Sequence, residues 1–314
     1  MFKHILVPLD GSRLAESALP ATAFLAEKLN SRVTLIHVIE KNVPKEVHGQ
    51  PHLRTAREAE NYLQEIRHRW FAQDLILNCH VHTMEVDDVA QSIVQHAGEF
   101  DHDLLVMCSH GRGKTQQLLM GSIAQKIIGL GSIPVLMTHP VTCALPVFSC
   151  KRLLVPLDDD QDHGQALPVS KELARQLGSS LHLIMVVHCF KSLSGTMAVT
   201  SRLLPGTTSR LLELASRNAE VFVQQQLNEL LDQGYTADAE VLRGDPAKVI
   251  DQSAQANKAD IIVLATHGKS GMAGFWAGSV AHKLCSICRT PLLLIPVEEY
   301  SSENVKTQKK CESI

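Results

Sequence analysis

Short uncharged runs rich in β-branched residues alternate along this chain with longer stretches whose apolar residues recur at helical spacing, the signature of alternating strands and helices. Lys3 to Leu9 is the first apolar run, and Asp10-Gly11-Ser12 after it supplies turn and cap chemistry for a helix from about Leu14 to Leu29. Ser31 to Ile39 reads as a second strand through Val33, Thr34, Ile36, Val38 and Ile39. A loop leads to a helix over Leu53 to Phe71, polar on one face through Arg54, Glu58, Glu65 and Arg69. Leu75 to Val86 alternates as a third strand, Asp87 caps a helix over Val89 to Ala97, and Asp103 to Met107 is a fourth strand. A helix over Ser122 to Ile128 and a strand over Pro134 to Thr138 follow.

The same order then repeats. Phe2 to Asp10 recurs as Cys150 to Asp158, 148 positions later, and Ile133-Pro134-Val135-Leu136 recurs as Thr290-Pro291-Leu292-Leu293, 157 positions later. The offset grows by nine, so the second half carries an insertion, placed in the Ser-, Thr- and Gly-rich stretch Phe190 to Thr208. The second half reads as strand Arg152 to Leu157, helix Gln165 to Leu177, strand Ser180 to Val187, helix Thr208 to Leu231 and strand Thr236 to Leu242. Gly244-Asp245-Pro246 then starts a helix to about Ala256. Strands alternating with helices require right-handed crossovers and a parallel sheet covered on both faces. The predicted fold is α/β: two tandem doubly wound domains, each a five-stranded parallel sheet with helices on both faces. The first domain is assigned to residues 1–141, a linker to 142–149, the second domain to 150–297, and a polar tail expected to be mobile to 298–314. The last strand of each half is the natural contact between the two, in a pseudo-twofold arrangement.

Composition narrows the function. A formal net charge of -3 offers no basic face for nucleic acid. No apolar run reaches the length of a membrane span, and the N-terminus passes directly into a strand without room for a signal peptide, so a cytoplasmic protein with no membrane partner is expected. The eight cysteines lie mostly in apolar segments without framework spacing, which predicts reduced core thiols.

The candidate chemistry lies in a Gly-rich segment that occurs twice, each time after an apolar strand and before an amphipathic run: Cys108-Ser109-His110-Gly111 through Gly121-Ser122, and Ala265-Thr266-His267-Gly268 through Gly278-Ser279. Open α/β sheets bind ligands at the carboxyl ends of their strands, where a glycine-flanked helix start offers free N–H groups to phosphate. Asp10 and Asp158 end the first strand of each half after Val-Pro-Leu, either as turn caps or as carboxylates facing a ligand. Gly, nine residues, then Gly-Ser, preceded by that Asp, closely resembles a tandem universal stress protein over nearly the whole chain. The resemblance implies an adenine nucleotide α-hydrolase-like fold and a cytoplasmic stress-response protein that binds ATP or another adenine nucleotide, with Mg²⁺ accompanying a triphosphate. It implies that Gly111, Gly121, Ser122, Gly268, Gly278 and Ser279 hold phosphates, that Asp10 and Asp158 meet the ribose, and that Val38 and Val186 line the adenine pocket. Pro8, Leu9, Ile123, Pro156, Leu157 and Val280 flank these positions and complete the candidate site with His110, Arg112, His267 and Lys269. Cys108 and Ala265 stand where the family pattern has its first glycine, the bulkier Cys perturbing the first cradle more than Ala perturbs the second. The resemblance also implies a homodimer and a protein partner, as yet unknown, that responds to nucleotide.

Other signals carry less. Gly113-Lys114-Thr115 mimics the end of a P-loop, but Cys108 occupies the position of that motif's first glycine and the second half has no Gly-Lys-Thr. Alternation on a strand sends His80 and His82 to one face and Cys79 to the other, without a second ligand pair at zinc spacing. Cys285 and Cys288 have the spacing of a redox pair but fall late in a helix, where packing is the simpler account. No nucleophile elbow or metalloprotease motif is present, so a binding module is favoured over an ATPase or phosphotransferase using Lys114 or Lys269, and over an interaction protein with degenerate pockets.

Overall fold

The computed structural model describes residues 1–41, 46–47, 50–51, 53–109, 120–130, 133–139, 147–158, 165–267 and 280–297. The predicted tail and most of the predicted linker lie outside these residues. In the first half β1 (His4–Pro8), α1 (Leu19–Leu29), β2 (Arg32–Glu40), a small antiparallel ribbon of β3 (Glu46–Val47) and β4 (Gln50–Pro51), α2 (Ala56–Trp70), β5 (Leu77–Val86), α3 (Val89–Glu99), β6 (Leu104–Cys108), α4 (Ser122–Leu130) and β7 (Val135–Thr138) follow in order. The second half contains β8 (Arg152–Leu157), α5 (Ala166–Leu177), β9 (Ser180–Val187), α6 (Gly195–Leu203), α7 (Pro205–Asp232), β10 (Ala237–Arg243), α8 (Pro246–Ala256), β11 (Ile261–His267), α9 (Val280–Ile287) and β12 (Leu292–Val297).

Within each half the strands lie parallel, in the order β5-β2-β1-β6-β7 and β10-β9-β8-β11-β12. The two sheets join into one of ten strands where β7 meets β12 antiparallel, Val135 opposite Leu294, Leu136 opposite Leu293 and Met137 opposite Leu292. Alternate strand residues feed two cores. Ile5, Val7, Leu35, Val155 and Val263 pack on one face with Leu25, Leu63, Leu173 and Leu230 from α1, α2, α5 and α7. Leu6, Ile36, Leu105, Leu154 and Ile262 pack on the other with Ile93, Ile127, Ile250 and Leu284 from α3, α4, α8 and α9.

Local chemistry explains where elements begin. Thr55 and Glu58 form a capping box, so α2 starts at Ala56 rather than Leu53. Asp88, not Asp87, caps α3: its extended backbone turns the carboxylate onto the Gln91 N–H, whereas Asp87 pairs with Lys41 at 3.6 Å. The single helix expected from Leu14 divides into a 3₁₀ turn, Ala15–Ala18, and α1, because Pro20 has no N–H to continue the ladder and seats instead in a first turn. The inserted stretch of the second half is helical. It forms a short 3₁₀ turn at Phe190–Ser192 and α6, and α7 begins at Pro205, three residues before the expected Thr208. Asp245 caps α8 through the Lys248 N–H, with Pro246 in the first turn.

Candidate functional site

In both halves the chain reverses direction of travel across the sheet at its first strand, β1 toward β2 and later β6, β8 toward β9 and later β11. That reversal opens a crevice beyond the strands' carboxyl ends. In the first half this crevice is a narrow apolar cleft. Pro8, Leu9 and Asp10 approach from β1, Ile36, His37, Val38 and Glu40 from β2, Val89 and Ile93 from α3, Met107 and Cys108 from β6, and Ile123 from α4.

The turn after β1 is fixed by hydrogen bonds. Leu9 N–H donates to Ile36 O at 2.9 Å, Ser12 N–H donates to Asp10 Oδ1 at 2.8 Å, and Ala15 N–H donates to Ser12 Oγ at 3.2 Å. Asp10 thus shapes its own turn while its side chain lines the cleft. Gly11 has φ +87°, and a Cβ there would stand 2.9 Å from Leu53 Cγ, so a side chain would be strained by its backbone and would have to displace Leu53. His37 Nδ1 donates to Leu9 O at 2.8 Å, which holds the ends of β1 and β2 in register under the cleft. At the end of β6, burial pushes the Cys108 thiol up to about 12, so this residue enters the cleft as a small neutral wall and not as a thiolate. Ser109 N–H donates to Thr138 O at 2.8 Å, tying β6 to β7 at the point where the Gly-rich segment departs. Gly121 precedes α4 and its carbonyl accepts from Gln125 N–H at 3.0 Å, while Ser122 is the first helical residue and solvent-exposed. The positive end of α4 therefore faces the side of the cleft on which Ile123 sits.

Of the residues singled out in the sequence, Pro8, Leu9, Asp10, Val38, Cys108 and Ile123 come together in this one cleft, with Gly121 and Ser122 adjoining it. In the second half Pro156 and Leu157 end β8 opposite Ile184 and Met185, Asp158 follows directly, and Val186 lies on β9 opposite Leu242. Ala265 and His267 lie on β11 opposite Ile295 and Val297, and Val280 starts α9. His110, Gly111, Arg112, Gly268, Lys269, Gly278 and Ser279 lie outside the described residues, as does the P-loop-like Gly113-Lys114-Thr115. Ala15, Ile36, His37, Glu40, Val89, Ile93 and Met107 line the cleft without having been singled out. A signal for two of them was present, since Val89 and Ile93 sit one turn apart on a helix that starts with an Asp cap.

The remaining motifs resolve as packing. Cys79 joins the core on one face of the edge strand β5, and His80 stacks on His96 on the other at 4.6 Å. Burial pushes both Cys285 and Cys288 up to about 12, and among the described residues no group of three or more His, Cys, Asp or Glu could hold a metal. No helix among the described residues is long and apolar enough to cross a membrane.

Comparison with known proteins agrees with this architecture. The family model of the universal stress protein family matches residues 1–139 and 149–296. A universal stress protein of Synechocystis is 36% identical over 137 residues, spanning 43% of this chain and 85% of that protein. One from Mycobacterium bovis is 22% identical over 309 residues, 92% of this chain and 96% of that protein. The crystal structure of a universal stress protein from Archaeoglobus fulgidus superposes with a TM-score of 0.64 at 16% identity, covering 95% of this chain and 100% of that one. Two matches of one family model, one on each sheet of the repeat, identify the chain as a member of the universal stress protein family with two such domains in tandem.

Proposed function

We propose that the chain is an adenine-nucleotide-binding regulatory protein, with ATP the expected ligand, whose occupancy biases the binding of a protein partner in the cytoplasm. One observation carries the reading: Asp10 from the turn after β1, Val38 from β2, Cys108 from β6 and Ile123 from α4 meet in a single apolar cleft at the carboxyl ends of parallel strands and beside a helix N-terminus. The cleft suits the parts of a nucleotide. Ile36, Val38, Ile93 and Ile123 offer an apolar slot of the kind that takes a flat base, Asp10 offers an acceptor for ribose hydroxyls, and the start of α4 at Gly121 and Ser122 offers N–H groups and a positive dipole end to phosphate. Mg²⁺ would accompany a bound triphosphate and offset its charge. Pro156, Leu157, Asp158, Val186, Ala265 and Val280 occupy the equivalent strand ends and helix start of the second half, which supports a second site of the same kind. A homodimer completes the proposal.

Equilibrium titration of the purified chain with a fluorescent ATP analogue tests this reading. Saturable micromolar binding is expected, lost in one half when Val38→Trp fills the first cleft and in the other when Val186→Trp fills the second. Absence of saturable binding would sink the proposal, and turnover that vanishes in Lys114→Ala or Lys269→Ala with binding intact would replace it with an enzyme.

A further inference from the structure

Among the described residues, the segment joining β9 to β10 differs from its counterpart between β2 and β5 in what it shows to solvent. Eight of the fourteen large apolar side chains that are exposed among the described residues fall between Phe190 and Val221. On α6, Val199 and Leu203 stand one turn apart, away from buried Ser201, and Leu203 is 74% exposed. On α7, Arg210, Leu214, Arg217 and Val221 follow at steps of three and four residues, so they form one stripe along the helix. That stripe lies opposite the buried Thr208, Ser216, Ala219 and Val223, and Val221 is 71% exposed. α2 packs on the equivalent strands of the first half and is an internal control. It buries Ala59, Leu63 and Ile66, its exposed positions include Arg57, Glu60, Gln64, Glu65 and His68, and it exposes no large apolar side chain. The outward leucines and valines are therefore particular to the second copy and are not demanded by the fold.

Charge separates the possible occupants. Between residues 190 and 221 four basic side chains, Lys191, Arg202, Arg210 and Arg217, stand against Glu213 and Glu220, in a chain whose formal net charge is -3. Arg210 and Arg217 lie on the apolar stripe itself, whereas Glu213 and Glu220 lie to one side of it, so the face that carries the exposed aliphatic tips is cationic. An anionic layer that also accepts apolar tips matches both features, because a helix with arginines interleaved among exposed aliphatic residues can lie in a lipid interface without spanning it. The expectation of no membrane partner rests on the length of apolar runs and does not bear on a helix lying flat. We propose that α6 and the first half of α7 form a docking surface for an anionic phospholipid membrane. Val199, Leu203, Leu214 and Val221 enter the headgroup region there, and Arg210 and Arg217 pair with lipid phosphates. The proposal is independent of nucleotide binding.

Flotation of the full chain with vesicles tests it. The protein is expected to float with vesicles of phosphatidylcholine and phosphatidylglycerol in equal parts, to stay behind with phosphatidylcholine alone, and to be released by added salt. The double variant Leu203→Ser/Val221→Ser removes exposed side chains and leaves the core intact; it is expected to lower binding at least about tenfold, as is Arg210→Glu/Arg217→Glu. An unchanged denaturation midpoint in each variant separates loss of docking from loss of fold. Equal recovery, or none, with the two vesicle types overturns the proposal. So does binding that both double variants leave unaltered, or a dimer by light scattering that Leu203→Ser/Val221→Ser dissociates. Binding to an acidic protein without binding to vesicles also overturns it.

Discussion

Leu136 on β7 and Leu293 on β12 stand directly opposite one another in the antiparallel seam, and they are the same position of the two repeats, 157 residues apart. An approximate twofold axis therefore passes between them, and the tandem chain closes its two sheets into one as a symmetric pair of separate domains would. Both side chains are buried in the core that α1, α2, α5 and α7 cover. Leu136→Asp places an unpaired carboxylate in that seam, with an expected loss of more than about 3 kcal/mol. Calorimetry is expected to show the two halves unfolding separately. A single transition at an unchanged temperature would show that this seam contact is not what couples them.

Acid is expected to loosen the first half before the second. His4 and His102 stack at 3.8 Å, with His96 5.4 Å from His102 and His80 4.6 Å from His96. His4 Nδ1 donates to Phe100 O at 3.1 Å and leaves Nε2 to accept from the Thr34 hydroxyl at 3.0 Å, an arrangement of a neutral ring. Arg32, Glu99, Asp101 and Asp103 supply the surrounding charge. Burial, then neighbouring histidines, lowers His96 and His102 to about 4. The unfolded value lies near 6.5, so the unfolded chain takes up more protons between the two, and stability present above about pH 6.5 is lost as pH falls toward 4. Two independent groups would lose about 5 kcal/mol by pH 4.5, and their mutual repulsion and partial hydration bring the expected loss to roughly 3 kcal/mol. At the corresponding place in the second half Arg152, His182, Asp238, Glu240 and Ser253 form a hydrogen-bonded network. Burial there opposes the charged form of Asp238, but bonds from Arg152 and His182 outweigh it and hold this carboxyl below its usual range. Hydrogen exchange at pH 7.5 and 4.5 checks the order of opening. His102→Phe, which keeps an aromatic ring in the stack and removes a buried titrating group, is expected to flatten the pH dependence.

Two aspartates clamp the starts of the central strands. Asp103 accepts from Lys3 and His4 N–H at 2.6 and 2.8 Å, and Asp260 accepts from Lys151 and Arg152 N–H at 2.7 and 2.9 Å and from the Ser149 hydroxyl at 2.7 Å. Bonds to a charged acceptor are the stronger kind, and at Asp260 the Ser149 and Arg152 donors that would be freed are part-buried while that of Lys151 is exposed. Asp260→Ala is expected to cost on the order of 3 kcal/mol, read as a lower urea midpoint with unchanged slope. A midpoint within error of wild type would reduce the clamp to a surface contact.

Thiol reactivity is expected to be ordered. Hydrogen bonding by Ser192, from its hydroxyl and then its backbone, lowers the Cys189 thiol, whereas burial pushes Cys108, Cys150, Cys285 and Cys288 up to about 12. Brief alkylation of the native chain followed by peptide mass spectrometry should label Cys189 well ahead of those four. Early labelling of Cys285 or Cys288 would revive the redox reading of that pair.

Much of the architecture was legible in the residues. β-branched runs, Asp caps and Pro-Gly punctuation are local signals, and they located the central strands, the repeat, and the return of Pro8-Leu9-Asp10 as Pro156-Leu157-Asp158. Local signals also misled at fine scale. Adjacent aspartates, Asp87 and Asp88, are equivalent on paper, and only the backbone direction at the end of β5 decides which carboxylate reaches the Gln91 N–H. The inserted stretch of the second half reads as polar and small, yet it folds as helix because it packs α6 against α7 and α7 against β9 and β10.

The sequence by itself determined the order and type of the elements outside the β3–β4 ribbon and the inserted stretch, the duplication, and the placing of Gly-rich segments at strand ends, since each depends on spacing within a few residues. Tertiary structure alone decided that Ile36, His37, Glu40 and Met107 share a cleft with Asp10 and Cys108. It also decided that histidines from β1, β5 and α3 stack in one array with His102, and that Leu136 meets Leu293. Those are contacts between residues far apart in the chain, and which of them form depends on how all the elements pack at once rather than on any one stretch.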